Sequence, residues 1–182
     1  MIQPLSSHLQ IIRTGFPLIR YSLNVLSMGT YSFIQGSQEH LDLIRPLWDK
    51  LNAWHYDLAD SFIQRFRNVD WDNCKREMID ESAVVLVDYV LDQGNNHIIG
   101  FCISRVYKWD HATGEIDSLY VEEEHRQSGV GKSLMERAIQ WLQQQGAQKK
   151  RVLVVAGNES LIEYYRQFDF HPLHIVLQRK DD

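Results

Sequence analysis

The stretch Arg126-Gln127-Ser128-Gly129-Val130-Gly131-Lys132 joins a predicted β-strand to a predicted α-helix. Its two glycines can take backbone conformations that other residues avoid, so consecutive N–H groups can converge on an anion at the positive end of the helix. Arg126 and Lys132 add positive charge to the loop. The pattern predicts a site for a phosphate-bearing ligand, while a glycine-relaxed helix start without a ligand is the alternative.

Two common nucleotide-binding motifs do not fit this loop. Gly131-Lys132-Ser133 resembles the end of a P-loop, but that motif needs a glycine five residues before Gly131, where the chain has Arg126. The dinucleotide fingerprint needs a small residue three positions after Gly131, and Leu134 stands there. Both interpretations are rejected.

The sequence around the loop predicts one domain of alternating strands and helices. Ser37 and Asp70 are predicted N-caps, and the polar residues 92–96 between two β-rich runs predict a hairpin. Helices are expected at 38–54, at 58–67, after Asp70 through Met78, at 129–145 and at 159–168. Strands are expected at 31–34, 83–91, 97–107, 115–121, 151–155 and 170–178. This order predicts an α/β (α+β) fold with a mixed, mostly antiparallel central sheet flanked by helices.

A second motif follows the loop at a fixed distance. The pattern R-x-x-G-x-G ends at Gly131 and comes after a strand end, Leu119-Tyr120-Val121. The later residues are Asn158, Leu161, Tyr164, Tyr165 and Phe170. Together the two motifs resemble those of the GCN5-related N-acetyltransferases, the GNAT superfamily of acyl-CoA-dependent transferases. The resemblance covers about 31–180, and its specific part is 115–170.

The second motif departs from the family pattern at two positions. Leu161 replaces the usual alanine, and Asp169 replaces the usual glycine before Phe170. Aspartate tolerates a left-handed backbone conformation better than most residues, so we expect the turn to survive. The larger side chain at Leu161 suggests slightly altered packing of this helix against the bound acyl-CoA.

The resemblance implies acetyl-CoA as cosubstrate and no metal. In the family, the loop binds the CoA pyrophosphate through backbone amides, and the preceding strand pairs with the pantetheine arm. The pantetheine contacts would then come from Leu119, Tyr120 and Val121. The pyrophosphate cradle would come from Arg126, Gln127, Ser128, Gly129, Val130, Gly131 and Lys132. Asn158, which opens the second motif, is also carried over as a cofactor-binding residue.

Amide synthesis from a thioester requires groups that move protons. The amine must lose a proton, the developing oxyanion must be stabilised, and the thiolate leaves with a proton supplied. Tyr165 aligns with the family tyrosine proposed as general acid, with core packing as its alternative role. Glu115 and Asp117 share one face of a strand if no bulge intervenes, so each is a candidate base or a solvated carboxylate.

The acceptor would bind, by resemblance, between the first helices and the C-terminal strand. Aromatic and polar residues cluster around the first interhelical connection, and His55 and Tyr56 are the candidate substrate-binding residues. His171 and His174 fall on opposite faces of a predicted strand and make a poor metal pair. No metal site is predicted.

Composition limits the class of protein and its partners. The 182 residues carry a formal net charge of -5, which argues against a nucleic-acid surface. Residues 1–28 contain no acid and are too polar for a membrane span, so we expect a loosely ordered extension before a domain at 29–182. An organellar targeting segment is the alternative for this extension, and Met28 is an alternative start. Cys74 and Cys102 lie in no redox or metal motif, which favours reduced thiols and a cytoplasmic protein.

The sequence therefore predicts an acyltransferase with one catalytic domain. It would move the acetyl group of acetyl-CoA to a primary amine, on a small molecule or a peptide, by direct attack in a ternary complex. The alternative is a non-catalytic acyl-CoA-binding or sensing module that keeps the loop. No nucleic-acid or membrane partner is expected, and a homodimer is left open.

Overall fold

The computed structural model of the chain describes residues 25–28, 30–58 and 69–177. Six strands form one sheet in the order β1-β2-β3-β4-β5-β6, and every neighbouring pair is antiparallel except β5 and β6, which are parallel. The strands are β1 (Val25–Met28), β2 (Tyr31–Gly36), β3 (Ser82–Asp92), β4 (Ile98–Tyr107), β5 (Thr113–Val121) and β6 (Lys149–Val152). The helices are α1 (Leu41–Leu58), α2 (Trp71–Glu81), α3 (Val130–Gln144) and α4 (Leu161–Arg166). The expected mixed, mostly antiparallel sheet with flanking helices is confirmed.

The sheet separates two hydrophobic clusters. Alternate residues of a strand point to opposite faces, so Cys102 belongs to one cluster and Phe101 to the other. α3 and Tyr165 of α4 pack on the Cys102 side. α1 and α2 pack on the Phe101 side. None of the described helices has the length and apolar character needed to cross a membrane.

The two predicted N-caps are present. The Ser37 hydroxyl accepts a hydrogen bond from the Glu39 N–H at 3.4 Å, and Ser37 N–H donates to the His40 ring at 3.2 Å. These bonds begin a short 3-10 turn that runs directly into α1. A carboxylate oxygen of Asp70 accepts from the Asn73 N–H at 3.3 Å and caps α2. Both caps satisfy N–H groups that a helix start leaves without an intrahelical acceptor.

The C-terminal strand expected at 170–178 is not formed in the described residues. Residues 170–177 have no regular secondary structure, and the side chains of Leu173, Ile175, Val176 and Leu177 are 84–91% exposed. Pro172 lacks a backbone donor, and a β-rich pattern does not by itself supply a neighbouring strand. β6 is also shorter than expected and ends at Val152 rather than residue 155.

Other boundaries differ in smaller ways. α1 ends at Leu58 and includes residues 55–57, which were expected to lie around a connection. The helix expected at 58–67 lies outside the described residues beyond Leu58. Residues 1–24 of the predicted extension lie outside them as well. β1, at residues 25–28 of that extension, pairs with β2 and belongs to the sheet.

A buried ion pair fastens α3 to the sheet. Asp88 of β3 is fully buried, and its carboxylate accepts two hydrogen bonds from Arg137 of α3, at 2.6 and 3.2 Å. Burial raises the pKa of Asp88, opposed by the hydrogen bonds from Arg137 and Gln35. A buried carboxylate that keeps such a partner is tolerated, whereas one that loses it is strongly destabilising.

We therefore expect Arg137→Met to lower the free energy of unfolding by about 3–5 kcal/mol, because Asp88 would be left buried and unpaired. Urea denaturation at neutral pH measures this loss. Glu136→Gln, which breaks only the exposed pair of Glu136 with Lys132 on the same helix, is the control and should cost at most about 0.5 kcal/mol. Equal losses in the two variants would contradict the assignment.

Candidate active site

The parallel strands β5 and β6 separate halfway along β5. Their pairing joins Thr113–Ile116 to residues 149–152 and stops there, while β5 continues beside β4 as far as Val121. Residues 153–155 follow β6 without strand structure. The main chain of 117–121 is therefore paired with β4 on one side only. This edge can form hydrogen bonds with an extended ligand.

The loop that follows β5 presents backbone N–H groups beside that edge. Gln127 and Gly129 adopt positive φ angles of 62° and 87°, and α3 begins at Val130 with no side-chain cap. The first N–H groups of an α-helix have no intrahelical acceptor, and the helix dipole makes this end positive. The Ser128 hydroxyl holds the loop by donating to the His125 carbonyl at 2.5 Å. The geometry suits an anion such as a phosphate.

Arg126 connects the loop to β5 and α1. Its Nε donates to the Val121 carbonyl at 3.1 Å, and its guanidinium lies 5.5 Å from the ring centre of Trp54 and 5.9 Å from that of Tyr120. Lys132 lies 3.8 Å from the carboxylate of Glu136 on the exposed side of α3. The two positive side chains thus contact protein groups, and the backbone N–H groups of Gly129 and the start of α3 are the donors that remain without an intrahelical acceptor.

Glu115 is buried in a cluster of positive and polar groups. Its side chain is 1% exposed and accepts hydrogen bonds from Arg105 at 2.8 Å, Tyr107 at 2.7 Å and Arg151 at 2.7 Å. Burial opposes ionisation, but the hydrogen bonds from Tyr107 and Arg105 outweigh it, so the pKa of Glu115 is lowered. A carboxylate held by three donors is poorly placed to take a proton from a substrate.

Asp117 lies beside Glu115 in a different environment. The register between β4 and β5 shifts between Ile103 and Ser104, so β5 has a bulge at Asp117. A bulge interrupts the alternation of side chains along a strand, so Glu115 and Asp117 need not point to the same face of the sheet. Asp117 is 21% exposed, and its carboxylate lies 3.2 Å from Arg105 and accepts from the Ser118 hydroxyl at 2.9 Å. Burial raises its pKa, against the opposing charge of Arg105. Arg105 thus contacts both candidate bases.

The tyrosines of the second motif lie on α4. Tyr165 is 7% exposed in the core cluster, and burial raises its pKa. The Tyr164 hydroxyl is buried and has no hydrogen-bond partner within the described part of the chain. Such a group costs about 1–3 kcal/mol. Asp169 adopts φ 64°, the left-handed conformation expected where the family has glycine.

Asn158 and the candidate acceptor residues lie on the far side of the opening. The backbone of Asn158 joins the turn between β6 and α4, with its N–H donating to Val155 and its carbonyl accepting from Leu161. A Cβ built on Gly157 would lie 2.7 Å from the Leu58 carbonyl, so this turn packs against the end of α1. His55 and Tyr56 are half-buried on the last turns of α1, and burial lowers the pKa of His55.

The sequence reasoning missed Arg105, Tyr107, Arg151 and the Tyr164 hydroxyl. Of these residues, Arg105 could have been identified from the sequence, because a charged side chain within the otherwise apolar run of β4 indicates a buried partner. The described residues contain no group of three or more His, Cys, Asp and Glu side chains that could hold a metal ion.

A sheet that opens beside an uncapped helix start is suited to hold an extended, phosphate-bearing ligand. Residues 47–170 match the model of the Acetyltransferase (GNAT) family, which is most of the chain. The chain therefore belongs to this family of N-acetyltransferases, whose members use acetyl-CoA. A search of curated protein sequences found no significant match.

Solved acetyltransferase structures share the fold at low sequence identity. A GCN5-related N-acetyltransferase from Ralstonia eutropha JMP134 is 16% identical, with a TM-score of 0.64 over 82% of this chain and 97% of that one. The aminoglycoside acetyltransferase meta-AAC0020 from an uncultured soil sample, in complex with sisomicin, is 15% identical, with a TM-score of 0.58 over 84% and 96%. AAC(6')-Iy, in complex with a CoA bisubstrate analogue, is 15% identical, with a TM-score of 0.58 over 84% and 99%.

Glu115→Gln should lower the free energy of unfolding at pH 7 by about 3–5 kcal/mol, because Arg105 and Arg151 would lose their shared carboxylate. Since folding lowers the pKa of Glu115, its contribution is complete above the ordinary value of 4.5 and is lost as pH falls through the lower folded value. Urea unfolding of both proteins between pH 7 and pH 3 should show their difference shrinking in acid.

The control is Asp49→Asn, which removes an exposed carboxylate 4.0 Å from Arg45. It should change stability by at most about 0.5 kcal/mol. A difference between wild type and Glu115→Gln that persists unchanged at pH 3 would show that the charge of Glu115 is not its cause.

Proposed function

We propose that the protein transfers the acetyl group of acetyl-CoA to a primary amine by direct attack within a ternary complex. The observation that carries this proposal is the opening between β5 and β6 beside the uncapped start of α3. The main-chain edge of β5 that does not pair with β6 leads to the cluster of N–H groups at the start of α3. A ligand with an amide-bearing arm and a pyrophosphate matches both.

The chain offers suitable groups for the pantetheine arm and the pyrophosphate of acetyl-CoA. The main chain of Leu119–Val121 would pair with the pantetheine arm, and the N–H groups around Gly129–Lys132 would bind the pyrophosphate. Asn158 would border the arm from the turn opposite β5. Bound in this way, acetyl-CoA would present its acetyl thioester to the part of β5 that carries Asp117.

Asp117 is the better of the two candidate bases. Three donors hold the carboxylate of Glu115, whereas Asp117 is partly exposed and has a raised pKa. A base whose pKa lies closer to the working pH accepts a proton more effectively. Asp117 would therefore take the amine proton, directly or through a water, while Arg105 orients it.

Tyr165 would supply the proton for the departing thiolate. Burial keeps its hydroxyl protonated at neutral pH, which a general acid requires. Its near-complete burial also makes it a core residue, so the two roles must be separated by measurement. Conservative replacement by phenylalanine removes the proton and keeps the ring.

Neither cysteine is suited to carry the acetyl group. Cys102 is completely buried in β4, and burial raises the pKa of both Cys102 and Cys74. A thiol is a nucleophile only as its thiolate, so both are poorly reactive. This supports direct transfer without an acetyl-enzyme intermediate. Both are free thiols, which suits a reducing compartment such as the cytoplasm.

The acceptor would enter beside the end of α1. His55 and Tyr56 lie there, near the turn that carries Asn158, and Asp117 is partly exposed on the part of β5 that does not pair with β6. A carboxylate at that position favours a cationic amine. Two similar structures are described as an aminoglycoside acetyltransferase bound to sisomicin and AAC(6')-Iy bound to a CoA bisubstrate analogue, which supports a small-molecule amine.

The cradle is tested by Gly129→Ala. A side chain at a φ of 87° costs roughly 1–2 kcal/mol and would displace the first N–H groups of α3, so we expect CoA affinity to fall at least about tenfold by calorimetry. Gly146→Ala is a matched control, because Gly146 has a φ of 81° just beyond the other end of α3, and neither added Cβ meets an atom of the described residues within 4 Å. Equal affinities in the two variants would refute the cradle.

Catalysis is tested by thiol release from acetyl-CoA with a panel of primary amines. We expect Asp117→Asn to lower kcat by about 10²–10⁴-fold and to remove an acidic limb of kcat/KM whose midpoint lies above the ordinary Asp value of 3.8. Asp72→Asn, at an exposed site on α2, is the control and should keep wild-type rates. CoA binding without turnover across the panel, in wild type and in Tyr165→Phe, would favour the non-catalytic module.

A further inference from the structure

Tyr164 presents a feature that packing does not explain. Its ring packs against Tyr165 and Phe168, with ring centres 5.4 and 5.3 Å away, so the ring is held in place. Its hydroxyl is nevertheless buried without a hydrogen-bond partner in the described part of the chain. A phenylalanine would pack equally well at this position without burying a polar atom. A buried donor of this kind normally has a partner.

The hydroxyl lies where the two parts of the proposed acetyl-CoA site meet. A Cβ built on Gly131, in the first turn of α3, would be 3.2 Å from the Tyr164 oxygen and 3.8 Å from a methyl carbon of Val121. Val121 is the last residue of β5, and Gly131 is the second residue of α3. Because Gly131 has no side chain, the Tyr164 hydroxyl can lie directly against the first turn of α3, between that turn and the end of β5.

We infer that the Tyr164 hydroxyl donates a hydrogen bond to an acceptor oxygen of bound acyl-CoA, where the pantetheine arm meets the pyrophosphate. This inference rests on the proposed function and adds a binding residue to it. The arm and the pyrophosphate both carry acceptor oxygens, and the hydroxyl lies at the junction of the elements that would hold them. Tyr164 thus binds and positions the cosubstrate, and it takes no part in proton transfer.

The protonation state of Tyr164 fits a donor. Burial raises its pKa to about 12, so the hydroxyl keeps its proton at neutral pH and well above it. Its contribution to binding is therefore independent of pH. A general acid or base would instead contribute a pH-dependent change in kcat.

The experiment compares wild type, Tyr164→Phe and a matched control, Tyr89→Phe. Tyr89 is a buried tyrosine in the cluster on the opposite face of the sheet. Calorimetry with CoA gives Kd, thermal unfolding of the free proteins gives Tm, and initial rates with acetyl-CoA give KM and kcat. We expect Tyr164→Phe to raise Kd for CoA and KM for acetyl-CoA about 3- to 10-fold, the range for one lost hydrogen bond.

The stability of the Tyr164→Phe variant without CoA should not fall. Because Tyr164→Phe removes a buried hydroxyl without a partner, its Tm without CoA should equal or exceed that of wild type, while Tyr89→Phe should leave Kd unchanged. An unchanged Kd in Tyr164→Phe overturns the inference. A lowered Tm of the free variant also overturns it, because the hydroxyl would then have a structural partner. If wild type itself fails to bind CoA, the proposed function fails first.

Discussion

A single buried carboxylate joins the three strands that form the site. Glu115 on β5 accepts from Arg105 on β4 and from Arg151 on β6, residues that face it directly in the strand register. The side chain of Tyr107 donates to the same carboxylate, and both guanidinium groups lie about 5 Å from its ring centre, at 4.7 and 4.9 Å. The pairing of β5 with β6 ends one residue later, at Ile116 and Val152. The ion cluster holds the strands together immediately before the point at which they separate, and the opening for a ligand depends on it.

The ion cluster around Glu115 also gives Glu115 and Asp117 different roles. A carboxylate that must stay ionised to hold three strands cannot exchange protons freely, so the structural role of Glu115 opposes a role as base. The bulge places Asp117 at the edge of the same cluster, where Arg105 contacts it but burial raises its pKa. One arginine thus stabilises the fold through Glu115 and orients the candidate base. A substitution of Arg105 would change both the stability of the fold and the orientation of Asp117. Substitutions of Glu115 and of Asp117 separate these two effects.

The parts of the fold that local sequence encodes could be predicted, and those that depend on distant pairing could not. The apolar face of α3 repeats every three to four residues, and Ser37 and Asp70 cap helices through neighbours within three positions. Glu115, in contrast, meets Arg105 and Arg151 at separations of 10 and 36 residues, and no local pattern shows such contacts. The bulge at Asp117 follows from the register of β4 against β5. The strand expected at 170–178 shows the same limit, because residues 173–177 have strand composition but no pairing with a strand of the described residues.

The two adjacent tyrosines of α4 show why alignment alone does not assign their roles. Successive residues of a helix point about 100° apart, so the hydroxyls of Tyr164 and Tyr165 cannot occupy the same place along an extended ligand. The motif indicates Tyr165, but it carries no information about which hydroxyl lacks a partner in the folded protein. The structure adds that information, because the Tyr164 oxygen is buried without a partner in the described part of the chain and lies against Gly131. In the proposed complex the two tyrosines would contact different parts of one ligand: Tyr164 beside the start of α3, and Tyr165 nearer the thioester.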